Sequence, residues 1–334
     1  MKVSVIGCGA ISRVHLGVID SLPDVELISV VDTKPEKAQK AAEAHNTVAF
    51  TSFEEMLENQ TPDVIHLCVP HYLHVPMALE ALKRNISVLS EKPEATNNDD
   101  LKKLIEAEAN SEAKFGVCFQ NRYNDSVQML KKMIDSGEYG KVTGVRAFIT
   151  WKREEAYFVE SGWRGTRKME GGSLLINRAI HTLDLIGYLC GDYEIVRAHA
   201  FNDHLEGVIE TEDTANAFLK FKDGVRGQFF ATLAYADNCP VFIEISMENK
   251  VFRLEGDVLY DINKNGEHKL LLGVTKQKAG EAKDYWGTGH GKLIRDFYDC
   301  VRNNKHFALD AKEGGKAIKE VFDIYNKVKE GLKK

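Results

Sequence analysis

Gly7-Cys8-Gly9-Ala10-Ile11-Ser12 stands between a short apolar run, Val3-Ser4-Val5-Ile6, and an amphipathic stretch that reaches about Asp20. No other feature constrains the chain as much. The spacing fits G-x-G-x-x-G/A with serine at the last small position. The first glycine permits a tight turn, and the second lets a pyrophosphate approach the backbone. The small Ser12 lets helix and strand pack closely, and the helix N-terminus stabilises the phosphates. Asp32 follows a second apolar run, Leu27 to Val31, where an acid accepts ribose hydroxyls. A glycine motif alone also suits an ordinary turn. With the strand, the helix and Asp32 in place, Gly7, Cys8, Gly9, Ala10, Ile11, Ser12 and Asp32 read as a dinucleotide site. A carboxylate at Asp32 repels a 2′-phosphate, which favours NAD(H). Lys34 softens that preference and leaves NADP(H) open.

The rest of the first third repeats the alternation. Helical stretches at Lys34 to His45, Phe53 to Leu57, Pro76 to Lys83 and Asn97/Asn98 to Ala109 separate apolar runs at Thr47 to Phe50, Val64 to Val69, Ser87 to Leu89 and Lys114 to Phe119. This order predicts an α/β unit, a Rossmann doubly wound parallel sheet, over residues 1–120. After a helix at Asp125 to Ser136 the pattern changes to longer strands: Val142 to Trp151, Thr214 to Lys222, Val225 to Leu233 and Val241 to Met247. Asp223-Gly224 marks a hairpin between two of them. Residues 121–334 therefore read as a C-terminal α+β domain on a largely antiparallel open sheet, which binds substrate and holds subunits together. Helices at Leu293 to Arg302 and Ala311 to Leu332 finish the chain, and these final helices can pack back on the first domain.

Composition excludes several classes. The net charge of -6 disfavours nucleic-acid binding. No apolar run approaches the roughly 20 residues of a membrane span. The N-terminus reads as mature cytoplasmic protein. Six cysteines form no CxxC pair and no zinc-spaced cluster, so they read as reduced thiols and no metal is expected.

Cys68-Val69-Pro70-His71-Tyr72-Leu73-His74, Glu91-Lys92-Pro93, and Gly171-Gly172-Ser173 leading into Asn177 and His181 follow the fingerprint in order. Together they resemble the glucose-fructose oxidoreductase/inositol dehydrogenase/MocA (Gfo/Idh/MocA) family over essentially the whole chain. Tyr157 to Thr166 and Ile209 to Thr214 look similar to a subgroup containing nucleotide-sugar-acid 3-dehydrogenases. The resemblance implies NAD(P) at the strand ends, polyol, sugar or sugar-acid substrates, and a role for Lys92 and His181 at the reacting carbon.

Moving a hydride to nicotinamide leaves a proton to be taken from the alcohol. His181 titrates in a suitable range, and Lys92 can stabilise an alkoxide. Glu91 either contacts the cofactor ribose or orients Lys92. Asn177, His181 and Asp184, at i, i+4 and i+7, would share a helix face, with Asp184 orienting the imidazole. Many relatives carry Asp where this chain has Asn177, which binds but cannot relay a proton. That departure argues against a plain inositol dehydrogenase. Arg122, Tyr123, Tyr157 and Arg164 are candidates for the substrate. Cys68, Pro70, His71, His74, Trp163 and Arg164 are candidates for the cofactor. Tyr285 to His290 reads as a glycine-rich loop near the site. The expected enzyme is a sugar, cyclitol or (nucleotide-)sugar acid dehydrogenase that forms a homodimer or homotetramer. The competing readings are an NAD-dependent glycosidase of the same fold, separated by net cofactor turnover, and a non-catalytic NAD-binding sensor.

Overall fold

The computed structural model describes residues 1–273 and 289–331. Two compact units divide the chain: 1–120 with 277–315, and 121–276 with 316–334.

The first unit is built on parallel strands alternating with helices. In chain order they are β1 (Lys2–Ile6), α1 (Ser12–Asp20), β2 (Glu26–Val31), α2 (Pro35–His45), β3 (Val48–Phe50), α3 (Phe53–Asn59), β4 (Val64–Leu67), α4 (His74–Lys83), β5 (Ser87–Ser90), α5 (Asn98–Ala109) and β6 (Phe115–Val117). The six strands lie in the order β3-β2-β1-β4-β5-β6, the doubly wound arrangement expected. Helices cover both faces, so Val3, Val5, Val64, Ile65, Val88 and Leu89 are fully buried. Local signals set the helix starts: Ser52 accepts the Glu55 N–H at 3.1 Å and Asn97 the Asp100 N–H at 2.9 Å.

The second unit contains α6 (Asp125–Asp135), β7 (Val142–Thr150), α7 (Glu155–Val159), a π-helical turn (Leu175–Ala179), α8 (Ile180–Cys190), β8 (Tyr193–Phe201), β9 (Thr214–Phe221), β10 (Arg226–Thr232), β11 (Phe242–Met247), β12 (Val251–Glu255), β13 (Val258–Ile262) and β14 (His268–Leu272). Its eight strands run β14-β13-β12-β11-β7-β10-β9-β8. Every pairing is antiparallel except β7 with β10. At the β9–β10 hairpin Gly224 has φ +88°, the left-handed conformation an Asp-Gly turn requires. Two helices complete the chain, α9 (Gly289–Arg302) and α10 (Ala311–Gly331).

The structure departs from the sequence reading in places. β8, β12, β13 and β14 lie outside the strands read from the sequence: charged residues interrupt β8 and β12, and the apolar runs of β13 and β14 are only three residues long. Asn177 does not sit on one regular helix with His181; it lies in the π-turn that precedes α8. Gly289 and His290 open α9 and are not loop residues, whereas Tyr285 to Thr288 lie outside the described residues.

Candidate functional site

The candidate residues fall into two groups, one in each unit. In the first, the turn after β1 is shaped by its glycines. Gly7 has φ +93°, and a Cβ there would lie 2.5 Å from the Cys68 carbonyl oxygen. At Gly9 an added Cβ would meet no atom within 4 Å, which leaves open space beside the α1 N-terminus. Ser12 is buried and donates to the Gly9 carbonyl at 2.7 Å. Asp32 accepts the Cys8 and Lys34 backbone N–H groups, each at 2.9 Å. Its carboxylate is thus fixed beside the turn before any ligand arrives. A backbone cradle with room over Gly9 and an anchored acid fits a dinucleotide's pyrophosphate and ribose. Ala10 is exposed and Ile11 half-buried at the mouth of this turn.

Cys68 is buried at the end of β4, and burial raises its thiol well above the usual range. Pro70 is half-buried, and His71 is buried. His74 is buried as well, with ring nitrogens 2.6 Å from the Pro93 carbonyl and 2.9 Å from that of Val69. It ties the segment after β4 to the segment after β5, a holding role that the sequence does not suggest. Half-buried Lys92 follows Glu91 and precedes a cis bond to Pro93.

Glu91 ends a buried polar chain. His15 Nε2 lies 3.1 Å from its carboxylate, and His290 Nε2 lies 3.7 Å away. His15 Nδ1 meets His66 Nδ1 at 2.7 Å, and His66 Nε2 meets the Tyr298 hydroxyl at 2.7 Å. Burial alone would raise the Glu91 carboxyl, but the hydrogen bond from His15 and the nearby His290 ring outweigh it and hold the group well below the carboxylate range. Burial keeps His66 neutral. A carboxylate only accepts, so His15 Nε2 donates to Glu91, and the hydrogen-bonded line continues through His66 to the Tyr298 hydroxyl. Glu91 is therefore a fixed negative charge one residue from Lys92. Ligand atoms of His15, Glu91 and Cys118 lie within 4.8 Å of one another. Burial beside Glu91 raises the Cys118 thiol well above its ordinary value. The sequence holds no sign of His15 or Tyr298 and places His290 only in a loop near the site; His66 inside an apolar strand is the one local signal of the chain. All six cysteines are unpaired thiols.

In the second group, Asn177 is buried and its amide nitrogen donates to Glu170, which also accepts the Gly165 N–H. His181 is half-buried on the first turn of α8. The π-turn carrying Asn177 is held from a distance: Glu212 accepts the Leu175 N–H and the Tyr325 hydroxyl, each at 2.9 Å. A Cβ on Gly172 would lie 2.0 Å from that hydroxyl. The segment Ile209 to Thr214 thus has a supporting task, and Asp213 adds to it by accepting the His204 and Leu205 N–H groups.

Tyr157 gathers three guanidinium groups. Arg164 lies 4.5 Å from its ring centroid, Arg178 5.1 Å and Arg153 5.6 Å. Arg164 also covers Trp163 at 5.0 Å, and Arg178 donates to the Tyr157 hydroxyl. All five side chains are half-buried. Tyr123 is half-buried at the end of the short turn Gln120–Tyr123. Arg122 stands differently from the expectation. It is buried in a two-pronged ion pair with Asp184, at 2.6–3.1 Å, and stacks on Tyr188 at 4.8 Å. Asp184 likewise holds Arg122, where the sequence suggested it would orient His181.

Comparison with known proteins gives this geometry its context. Residues 1–119 match the family model described as an oxidoreductase family with an NAD-binding Rossmann fold, and residues 127–253 match the GFO/IDH/MocA C-terminal domain. D-glucoside 3-dehydrogenase of Escherichia coli (strain K12) is 25% identical over 74% of this chain and 70% of its own length. Oxidoreductase YteT of Bacillus subtilis (strain 168) is 29% identical, and the match covers 56% of this chain but only 46% of that protein. The crystal structure of the WlbA dehydrogenase from Bordetella pertussis, in complex with NADH and UDP-GlcNAcA, superposes with a TM-score of 0.85 at 29% identity, covering 99% of this chain and 97% of that one. With both family models matched in order and the glycine turn and Asp32 arranged for a dinucleotide, the chain belongs to the GFO/IDH/MocA family of NAD-dependent oxidoreductases.

Proposed function

We propose that this dehydrogenase oxidises a ring hydroxyl of an acidic or nucleotide-linked hexose, with a UDP-linked sugar acid as the first candidate. The observation that carries this reading is the set of Arg153, Arg164 and Arg178 around Tyr157. Guanidinium groups bind carboxylates and phosphates in paired hydrogen bonds, and a neutral sugar has no use for three of them. The UDP-GlcNAcA held in the Bordetella structure agrees with this choice. When bound, the nicotinamide supplies the hydride acceptor. In our reading His181 takes the hydroxyl proton, Lys92 stabilises the developing alkoxide beside the fixed charge of Glu91, and Asn177, Tyr123, Tyr157 and Arg164 hold the sugar. Residues 1–120 serve the cofactor and 121–334 the substrate and subunit contacts. Six unpaired thiols support a reducing, cytoplasmic compartment.

The test is NADH formation with UDP-GlcNAcA, UDP-GlcNAc, methyl glucoside and myo-inositol. The acidic nucleotide sugar should exceed the neutral sugars at least about tenfold in kcat/KM, the scale of one charge-assisted hydrogen bond. Arg164→Ala should erase most of that margin through KM. Preference for a neutral sugar, or indifference to Arg164→Ala, overturns the substrate class.

A further inference from the structure

Glu170 is about 1% exposed and takes part in no step assigned above. Its two oxygens face different partners. One accepts the Gly165 backbone N–H, and the other meets the side-chain amide of Asn177. The backbone partner can only donate, so the first oxygen is always an acceptor. Any proton Glu170 binds must therefore sit on the oxygen that faces Asn177. An ionised Glu170 requires the amide to point its NH2 at the carboxylate. A protonated Glu170 donates, and so requires the amide to point its carbonyl there instead. The two arrangements turn opposite ends of Asn177 the other way.

We propose that Glu170 is a positioning residue: its carboxyl decides which end of the Asn177 amide is turned toward the substrate, and so whether the site accepts a hydrogen bond from a sugar alcohol or donates one to its ketone. This rests on the reading of Asn177 as a substrate-binding residue. The carbonyl end suits the hydroxyl of the alcohol, which donates. The NH2 end suits the ketone, which only accepts. One amide can thus serve both directions of a reversible oxidation, although Asn177 itself never titrates.

The surroundings keep both states within reach near neutrality. Burial raises the Glu170 carboxyl to about 7, against the opposing pull of the Gly165 and Asn177 hydrogen bonds and the charges of Arg164 and Arg178. Arg164 approaches from the segment before Gly165 and Arg178 from the π-turn. From α10 comes Tyr325, which burial and its bond to Glu212 keep protonated. Burial also raises Glu212.

The test begins with the wild-type protein, free of sugar. With 13C-labelled glutamate and 15N-labelled asparagine side chains, Glu170 Cδ should titrate with a midpoint near 7, and the Asn177 NH2 signals should move with the same midpoint. Glu170→Gln copies the protonated acid, since its carbonyl can still accept from Gly165 while its NH2 faces Asn177. In that variant the Asn177 signals should hold still across the same pH range. With UDP-GlcNAcA and NAD+, Glu170→Gln should raise KM for oxidation about tenfold and change kcat much less, the mark of lost binding. KM for the keto product of that oxidation with NADH should stay within about threefold of the low-pH wild type. Glu170→Asp, which keeps the charge, should retain a pH-dependent KM. A Glu170 midpoint below 5, or Asn177 signals that ignore it, overturns the proposal whatever the enzyme turns over. Linked titrations in a protein that oxidises no sugar would instead uphold the Glu170–Asn177 switch and refute the assigned substrate.

Discussion

At the scale of single residues, Asp32 carries two jobs that ordinary mutagenesis would confuse. It accepts the Cys8 N–H and so fixes the glycine turn, and its charge discriminates against a 2′-phosphate. Asp32→Asn removes the charge while its one amide oxygen can still accept from Cys8, at the expense of the bond to the Lys34 N–H. Wild type should bind NADH more tightly than NADPH. Asp32→Asn should narrow that ratio by about tenfold, in line with the ~1.5–3 kcal/mol of a hydrogen bond to a charged group. Asp32→Ser should narrow or reverse it and also weaken NADH itself, since the shorter side chain releases the turn. Titration by nicotinamide fluorescence measures both. A wild type that prefers NADPH removes the argument. Asp32 could be read from the sequence because its job is local, set by a strand end and a glycine turn. Glu170 could not. A single glutamate before Gly171 looks like any loop acid, and only the tertiary fold buries it against Asn177 and Gly165.

At the scale of elements the same division holds. The parallel sheet was legible because its strands are buried on both faces and written as apolar runs, with helix caps such as Ser52 and Asn97 between them. β12 was not legible, because its exposed-side residues Arg253 and Glu255 pair with each other and Arg253 with Glu244 of β11, which breaks the apolar pattern by design of the sheet surface. The π-turn at Leu175–Ala179 was hidden for a different reason: its first N–H is held by Glu212, 37 residues away. π-turns recur at functional sites because i→i+5 bonding re-aims side chains, and this one separates Asn177 from the regular helix of His181. Their substitutions should therefore read out differently. Proton transfer by a positioned group contributes about 10²–10⁴-fold, so His181→Ala and Lys92→Ala should lower kcat by that order while NADH affinity changes little. Asn177→Ala should raise KM more than it lowers kcat. Steady-state kinetics that show the reverse, with Asn177→Ala inactive and His181→Ala nearly intact, would put the proton on the wrong side chain.

At the scale of the whole molecule, the alternate side chains on one face of the eight-stranded sheet are, among the described residues, only partly buried. On β7, Val145, Ala147 and Ile149 are buried, while the alternate residues Gly144, Arg146 and Phe148 face the other way. Strand register lines up Phe242, Phe148 and Phe230 in one row across β11, β7 and β10. The next row holds Glu244, Arg146, Gln228 and Phe218. Phe218 is 48% exposed and Phe201, on β8, 47%. A continuous aromatic row bordered by the Arg146–Glu244–Arg253 ion pairs has the apolar centre and charged rim of a subunit interface. A monomer would leave these half-buried aromatic side chains facing solvent together. The chain should therefore form a homodimer or homotetramer through this face at micromolar concentration. Phe230→Glu places a charge in the middle of the aromatic row without touching the buried side of β10, where Phe229 and Ala231 are fully covered. It should shift light scattering to the monomer mass while the far-ultraviolet circular dichroism stays native. A wild-type monomer at micromolar concentration refutes the assembly. A Phe230→Glu variant that keeps the wild-type mass moves the interface to another surface.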